Sequence, residues 1–430
     1  MSTSGIRSVK GLDVTSAFNA HQRQWFAELS ERSVGGEPIA IVNADAPHEI
    51  FRAMDIPYVV VQWWSSVISA KQQAAGCLEA LRGAGYPDNN EQYNALGLGE
   101  ALSMRRGGAG PWGGLPQPSI LSGIVTTDGS SKVLQAWSHE TGAPCFLFES
   151  TVDGRHSIET EWWDSLPWEW GRLVEPARLD LMVAELKELI GLLERTFDRQ
   201  FSMTRLEEVM ALANEQLEYY RKTRDLVATT VPAPVSVVDT MPATMVPQWH
   251  RGSVWGRDAA KALFEEVQAR ADAGTAACPG EQIRLMWLGR GLWASMGLYQ
   301  YFEREYGAVF VWSMYLALAA DGYLRYGEDP LRTLAARFVP LIEVLRMPTW
   351  SSSWHAKEAT LHQIDGAISL GEEDYFSVRR LESQGVPVLR INANNVDQST
   401  WSEQALITQI SQFIEERVRP AAERRRGGWT

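Results

Sequence analysis

Two short polar segments follow apolar runs and carry side chains that could transfer protons. The first is TTDGSS at residues 126–131, which contains Thr126, Thr127 and Asp128. The second is GEED, which contains Glu372, Glu373 and Asp374. A carboxyl group in a crevice can serve as a general acid or base when its pKa is raised. The structural alternative is that these carboxylates only complement the N-terminus of the following helix, with Asp128 as its N-cap residue.

A histidine next to an arginine is a further candidate for chemistry. PQWHRG at residues 247–252 places His250 and Arg251 beside a tryptophan. The imidazole could titrate near neutral pH, or it could bind a phosphate together with the arginine. A surface position without a role is the alternative. WSSSWHAKEAT at 350–360 lacks a GxSxG elbow, and we interpret it as an N-capped helix with an exposed His355.

The segment GRGLWA at 289–294 fits the dinucleotide pattern GxGxxA, but its surroundings do not. No acidic residue follows the next strand where a ribose would need one, and Arg290 and Trp293 crowd the turn. The phosphate-binding loop GxxxxGKS/T is absent from the chain. We therefore interpret GRGLWA as a strand-to-helix turn whose backbone N–H groups could bind some other anion.

The elements that must position these groups alternate between strands and helices. Eight apolar, β-rich segments bounded by turn residues are expected to be strands: 38–43, 57–62, 122–127, 144–149, 283–289, 308–312, 365–370 and 387–392. Such alternation predicts parallel βαβ units. Two segments with helical apolar spacing, 175–197 and 205–227, lie between the halves, and the proline-rich stretch 231–252 is expected to cross irregularly between them.

These patterns predict an α/β fold with two Rossmann-like (flavodoxin-like) lobes, each with a parallel sheet, linked by long helices. We expect an N-terminal lobe at 1–174, a helical linker region and lobe crossing at 175–280, and a C-terminal lobe at 281–430. The halves also repeat each other at an offset of 243 residues, because Gly123 aligns with Gly366 and Gly142 with Gly385. Ligands bind outside the carboxyl ends of parallel strands, so TTDGSS and GEED should share one crevice.

Bulk composition excludes several classes of function. The formal net charge of −13 argues against binding to nucleic acid or an anionic membrane. The three cysteines, Cys77, Cys145 and Cys278, are far apart and form no CxxC pair, which indicates a reducing cytoplasm without a disulfide framework or zinc site. No run approaches the length of a membrane span, and we expect a cytoplasmic protein. The 18 tryptophans should mostly pack in the core, although some could wall a pocket for an aromatic ligand.

The order of segments resembles the subunits of 2-hydroxyacyl-CoA dehydratases and benzoyl-CoA reductases, and the chain looks like a divergent, D-component-like member. The resemblance covers roughly residues 15 to 418 and rests on EIFRAMDIPYVVV, SGIVTTDGSSKVLQ, the two long helices, YFEREYGAVFVW, EDPLRTLAARF, IDGAISLGEED and SQGVPVLRIN. It implies two Rossmann-like lobes around a 4Fe–4S cluster, a heterodimer acting on acyl-CoA thioesters, and a separate ATP-dependent activator that supplies an electron.

The resemblance also implies where cluster cysteines would lie, and this chain has none there. The three places correspond to a segment near 89–99, to TTDGSS and to GEED. A single thiolate such as Cys77 cannot hold a cubane cluster. We therefore expect no iron–sulfur cluster, no metal site and no tightly bound cofactor in this chain. A metal held by Asp128 with residues 372–374 is a less favoured alternative.

Three hypotheses for function follow from this resemblance. The first is a cluster-free subunit that binds an acyl-CoA, with an aromatic acyl group preferred, or supports a related and possibly cluster-bearing partner subunit. The second is a stand-alone, iron-free acyl-CoA hydratase, lyase or isomerase that uses acid–base residues of the crevice. The third is a non-catalytic scaffold or ligand-sensing subunit. Candidate CoA-binding groups are backbone N–H groups, Thr126, Thr127, Arg251, Arg284 and Arg290.

Overall fold

The computed structural model describes residues 7–153, 155, 161–371 and 375–427. Within them the chain forms eight strands: β1 (Ala40–Val42), β2 (Tyr58–Val60), β3 (Ile120–Ile124), β4 (Cys145–Phe148), β5 (Ile283–Leu288), β6 (Ala308–Ser313), β7 (Gly366–Leu370) and β8 (Val388–Ile391). Each of the eight segments predicted from sequence overlaps one of these strands, although β3 begins two residues earlier and β6 ends one residue later than predicted.

Helices pack against both sheets and connect the two halves. In chain order they are α1 (Asp13–Val34), α2 (His48–Ala53), α3 (Val61–Ala70), α4 (Ala74–Gly83), α5 (Gln92–Arg105), α6 (Asp128–Thr141), α7 (Trp162–Leu173), α8 (Pro176–Phe197), α9 (Met203–Thr229), α10 (Val237–Gln248), α11 (Val254–Asp272), α12 (Gly297–Tyr306), α13 (Met314–Asp321), α14 (Pro330–Phe338), α15 (Leu341–Arg346), α16 (Pro348–Leu361), α17 (Tyr375–Ser383), α18 (Glu403–Phe413) and α19 (Arg419–Gly427). Short 3₁₀ segments lie at Pro111–Gly113, Trp293–Ser295 and Gln398–Thr400, and a π-helical turn at Ile414–Val418.

The strands form two separate parallel sheets of the same topology. The first sheet has the order β2-β1-β3-β4 and the second has the order β6-β5-β7-β8. Every neighbouring pair is parallel, with register pairs such as Ile41 with Val59 and Trp287 with Ile368. The predicted fold class of two Rossmann-like lobes is confirmed by this arrangement.

The two lobes repeat each other in three dimensions as well as in sequence. Strand β4 shifted by 243 residues coincides with β8, since 145 + 243 = 388 and 148 + 243 = 391. Gly142 and Gly385, which align at that offset, both adopt positive φ, 74° and 82°, just before these strands. Glycine is favoured there because it has no Cβ to clash in the left-handed region.

All strands except β4 and β8 are fully buried, which explains their near-continuous apolar sequences. Ten of the 18 tryptophans are buried among the described residues, which agrees with the expected packing role. Seven of these are among the largest fully buried side chains: Trp64, Trp137, Trp162, Trp287, Trp312, Trp350 and Trp354. Among the helices of the described residues, none combines the length and apolarity that a membrane span requires.

The stretch 231–252 is not the irregular crossing that its prolines predict. Val237–Gln248 forms α10 with Pro242 and Pro247 inside it, and almost all of its residues are buried. A proline in a helix interior costs about 3 kcal/mol. Helix α10 packs against α1, α11 and α13, so burial of its apolar side chains offsets that cost and overrides the local preference.

Candidate functional site

The segment TTDGSS joins the carboxyl end of β3 to α6, as predicted. Thr127, and not Asp128, is the N-cap residue of α6. Its hydroxyl accepts a hydrogen bond from the backbone N–H of Ser130 at 3.1 Å, and the Ser130 hydroxyl accepts one from the N–H of Thr127 at 3.3 Å. Asp128 lies in the first helical turn with an exposed side chain. A hydroxyl takes the cap because the chain is extended at Thr127 and becomes helical at Asp128.

A carboxylate that sequence reasoning did not select lies directly against this cap. The Thr127 hydroxyl donates a hydrogen bond to Glu91 Oε1 at 2.5 Å, and Asn94 Nδ2 donates to Glu91 Oε2 at 2.7 Å. Gln62 Nε2 holds Asn94 Oδ1 at 2.8 Å, and the backbone N–H of Ala44 holds Gln62 Oε1 at 2.8 Å. This polar chain crosses the carboxyl ends of β1 and β3 and the start of α3, and Glu91 is its acidic group.

The backbone around Glu91 is shaped to hold this side chain. Glu91 precedes α5 and adopts the left-handed conformation, with φ 50° and ψ 36°. This conformation is uncommon for a residue with a side chain and is found disproportionately at functional sites. A Cβ atom at Gly129 would lie 2.2 Å from Glu91 Cγ, so the glycine of TTDGSS leaves the space that Glu91 occupies. The sequence signal was available, because Glu91 lies in the first segment implied by the family resemblance.

The other lobe meets this edge through the residues that follow Glu91. Asn394 Nδ2, in the segment after β8, donates to Gln92 Oε1 at 2.7 Å. The indole N–H of Trp293 donates to the Tyr93 hydroxyl at 3.1 Å. Arg290 lies over the Tyr93 ring, 5.2 Å from its centroid. The two lobes therefore meet at the carboxyl edge of the first sheet, and Arg290 is the one of the three candidate arginines that lies at this junction.

Arg251 was predicted to bind the phosphates of CoA, but its side chain does not reach the surface between the lobes. It is fully buried, and its Nε donates to Glu49 Oε1 at 2.6 Å. Arg337 Nη1 donates to the same oxygen at 2.6 Å. The two guanidinium groups outweigh burial and lower the pKa of Glu49 to about 2. This buried triad connects α2 of the first lobe to the turn after α10 and to α14, and it fits a structural role.

Arg284 and His250 also lie away from the predicted site. The Arg284 guanidinium donates to the carbonyls of Val227 at 2.8 Å and Thr230 at 3.0 Å, at the amino end of β5 and opposite the crevice. It therefore stabilises the C-terminal end of α9. His250 is buried, its Nε2 lies 2.6 Å from Gln22 Oε1, and Trp25 and Trp255 pack edge-on to the ring. Burial lowers the pKa of His250 well below its ordinary value, so it is neutral near pH 7 and suited to packing.

In the C-terminal lobe, the predicted exposed position of His355 is wrong. His355 is buried on α16, and its Nδ1 lies 2.7 Å from the hydroxyl of Ser377 on α17. The aromatic ring of Trp312 packs edge-on against it at 5.4 Å. The predicted carboxylates Glu372, Glu373 and Asp374 lie outside the described residues.

The described crevice residues do not fit an iron–sulfur cluster. Hydroxyl, carboxylate and amide groups replace thiolates there, and Fe–S clusters are held by cysteine thiolates. Cys77 lies on α4, where burial raises the pKa of its thiol to about 12. Cys145 begins β4, and the Cys278 thiol donates to the carbonyl of Glu303 at 3.2 Å. Among the residues whose placement is described, no three histidine, cysteine or acidic side chains gather as a metal would require.

Comparison with known proteins agrees with this architecture. The model of the family described as 2-hydroxyglutaryl-CoA dehydratase, D-component, matches residues 43–416. The chain is also similar to the (R)-2-hydroxyisocaproyl-CoA dehydratase alpha subunit of Clostridioides difficile, with 21% identity over 411 residues, which cover 91% of this chain and 92% of that protein. The match spans both lobes and the helices between them, and the chain therefore belongs to the 2-hydroxyglutaryl-CoA dehydratase D-component family.

Proposed function

We propose that this chain is a cluster-free subunit of a heteromeric, 2-hydroxyacyl-CoA dehydratase-like complex. It binds an acyl-CoA thioester, with an aromatic acyl group preferred, or supports a related subunit that carries a cluster. The observation that carries the proposal is the hydrogen bond between Thr127 and Glu91. These residues belong to two of the three segments in which the family resemblance implies cluster ligands.

This contact argues against a cluster on geometric grounds. A cubane cluster separates its protein ligands, because each thiolate binds a different iron atom of the cube. Thr127 and Glu91 are instead joined directly by a hydrogen bond, with their oxygen atoms 2.5 Å apart. The Glu91 carboxylate instead takes the space beside Gly129. On this proposal, a compact polar group of the protein itself takes the place of the cluster.

The polar and aromatic side chains at the junction of the two lobes support an acyl-CoA ligand. Arg290 supplies a cation, and Tyr93, Trp293 and Tyr315 supply rings, with Trp293 and Tyr315 5.5 Å apart. Guanidinium groups bind the phosphates of nucleotide-containing ligands, and aromatic rings bind aromatic acyl groups. The alpha subunit from Clostridioides difficile is named for an acyl-CoA substrate. We place the complex in the cytoplasm, without nucleic-acid or membrane partners.

Native mass spectrometry of the protein purified anaerobically from its own host tests this proposal. We expect the chain in a complex with a second, related subunit, and we expect any iron to remain with that subunit after the two are separated. Binding of phenylacetyl-CoA and 4-methylpentanoyl-CoA to the complex, measured by calorimetry, tests the ligand class. A lone chain that binds neither thioester would overturn the proposal and leave the scaffold hypothesis.

A second candidate function is favoured by the same carboxylate. Glu91 has both oxygens held by single donors, which leaves each of them able to accept a further hydrogen bond. A positioned carboxylate is a usual general base, so the chain could act alone as an iron-free acyl-CoA hydratase, lyase or isomerase. Turnover by the isolated chain, in air and without iron, distinguishes this candidate from the first.

A further inference from the structure

We propose that Glu91 is the proton acceptor of the crevice and takes a proton from the carbon next to the carbonyl of a bound acyl-CoA thioester. This inference rests on the proposed function, because it requires the thioester to bind. The inference assigns a catalytic residue and the reaction step in which that residue acts.

The first argument is that the position of Glu91 is fixed by several independent features. Its backbone is held in the left-handed conformation, and its two oxygens receive hydrogen bonds from Thr127 and Asn94. Asn94 is itself oriented by Gln62. A carboxylate that was only exposed to solvent at the surface would need none of these hydrogen bonds. A catalytic group, in contrast, must be held by neighbours that are themselves fixed.

The second argument concerns access. Glu91 is half-buried at the carboxyl edge of the first sheet, next to the exposed start of α6. Ligands of open parallel sheets bind at this edge. Gln92 and Tyr93, the next two residues, contact the second lobe through Asn394 and Trp293. The partly exposed carboxylate therefore lies at the edge where the first sheet meets the second lobe.

The third argument is electrostatic. Removing a proton next to a thioester carbonyl leaves negative charge on the carbonyl oxygen, which must be stabilised by nearby positive groups. The N-terminal end of α6, capped by Thr127, carries a partial positive charge. Arg290 reaches the start of α5 from the opposite lobe and lies over Tyr93. Base and positive groups thus meet in the same part of the crevice.

The step is balanced without any further reactant. The C–H bond next to the carbonyl breaks, an O–H bond forms on Glu91, and the electron pair moves onto the carbonyl oxygen to give an enolate. Return of a proton to the same carbon restores the thioester and the carboxylate. In D₂O the returned hydrogen is deuterium, so the step can be measured without knowing the complete reaction.

The test is deuterium uptake at that carbon. The purified chain, alone and in its complex, is incubated in D₂O with phenylacetyl-CoA or 4-methylpentanoyl-CoA, and the acyl group is analysed by mass spectrometry. We expect Glu91→Gln to slow uptake by about 100-fold or more, which is the usual contribution of a general base. Binding of the same thioesters, measured by calorimetry, should change less than about threefold. Glu79→Gln, which removes an exposed carboxylate on α4, is the matched control and should exchange like the unchanged protein.

Thr127→Val provides a second variant that keeps the carboxylate but removes one of the groups that hold it. Its exchange rate should fall while the KM for the thioester stays nearly constant, and Thr127→Ser should restore the rate. Thioester binding without exchange in the unchanged protein, or normal exchange by Glu91→Gln, overturns the inference and leaves the proposed function intact. Absence of thioester binding overturns both.

Discussion

The hydroxyl of Thr127 donates a hydrogen bond to the carboxylate of Glu91 while it accepts one from the first turn of α6. One side chain therefore both caps a helix and positions an acidic group. The two segments that it joins are far apart in sequence and meet at the carboxyl edge of the first sheet. A mutation of Thr127 should consequently affect both the N-terminus of α6 and the position of the Glu91 carboxylate.

Replacement of Thr127 by alanine should destabilise the protein by about 1 kcal/mol, which is the usual cost of losing a side-chain N-cap. Asp128→Ala should cost less than half of that, because Asp128 is exposed and does not cap the helix. Urea unfolding followed by circular dichroism measures both values. Equal losses of stability for the two variants would contradict the assignment of Thr127 as the N-cap residue. Thr127→Ser, which keeps the hydroxyl, should remain close to the unchanged protein.

The buried triad of Arg251, Glu49 and Arg337 should be a large contributor to stability across the lobes. Arg337→Met removes one of the two guanidinium groups that bind Glu49 and should cost about 1.5–3 kcal/mol, because Glu49 loses one charged hydrogen bond and keeps the one from Arg251. The control is Arg332→Met on the same helix, whose partly exposed ion pair with Asp180 should contribute less than about 1 kcal/mol. Similar free energies of unfolding for the two variants would contradict the structural role assigned to the triad.

Glu100 should make stability depend on pH between about 4.5 and 7. It is 1% exposed, with Oε2 accepting hydrogen bonds from the Trp64 indole at 2.6 Å and the Leu115 N–H at 3.1 Å. Burial raises its pKa from 4.5 to about 7. The folded state therefore holds the proton more tightly than the unfolded state. The contribution of Glu100 to the free energy of unfolding is thus fully present below pH 4.5 and is lost as the pH rises through 7. The loss attributable to this group is at most about 3 kcal/mol.

Glu100→Gln removes this titration and provides the measurement. The difference in unfolding free energy between pH 5 and pH 8 should shrink in the variant, and the variant should gain on the unchanged protein as pH rises. Glu79→Gln, whose carboxylate is exposed on α4, should keep the original pH dependence. An unchanged slope in Glu100→Gln would show that the carboxyl is not held neutral by its surroundings.

The fold could be predicted well from the sequence because its signals are local. The eight apolar segments, the glycines that end helices and the alternation of strand and helix all follow from the chemistry of short stretches. The repeat at an offset of 243 residues indicated two lobes of the same kind. Helix α10 shows the limit of this reasoning. Its prolines oppose a helix locally, and only its burial among three other helices explains why it forms.

The site was predictable in position but only partly in composition. Thr127 follows β3 and Arg290 follows β5, so both lie at the carboxyl ends of strands, where the sequence placed the loops. Arg251, Arg284 and His250 were chosen because their side chains suit ligand binding, but each has its groups used by distant parts of the chain: Glu49, the end of α9 and Gln22. Such long-range pairings have no local signature. Glu91 was missed because its partner Thr127 lies 36 residues away, although the family resemblance had already marked the segment that contains Glu91.

Anaerobic reconstitution of the isolated chain with iron and sulfide tests the central claim most directly, namely that protein groups replace the cluster. After removal of unbound iron, we predict less than about one iron per chain and no absorbance band from a bound cluster, with the secondary structure unchanged. Four iron atoms and four sulfides per chain, lost on mutation of the cysteines, would contradict the account.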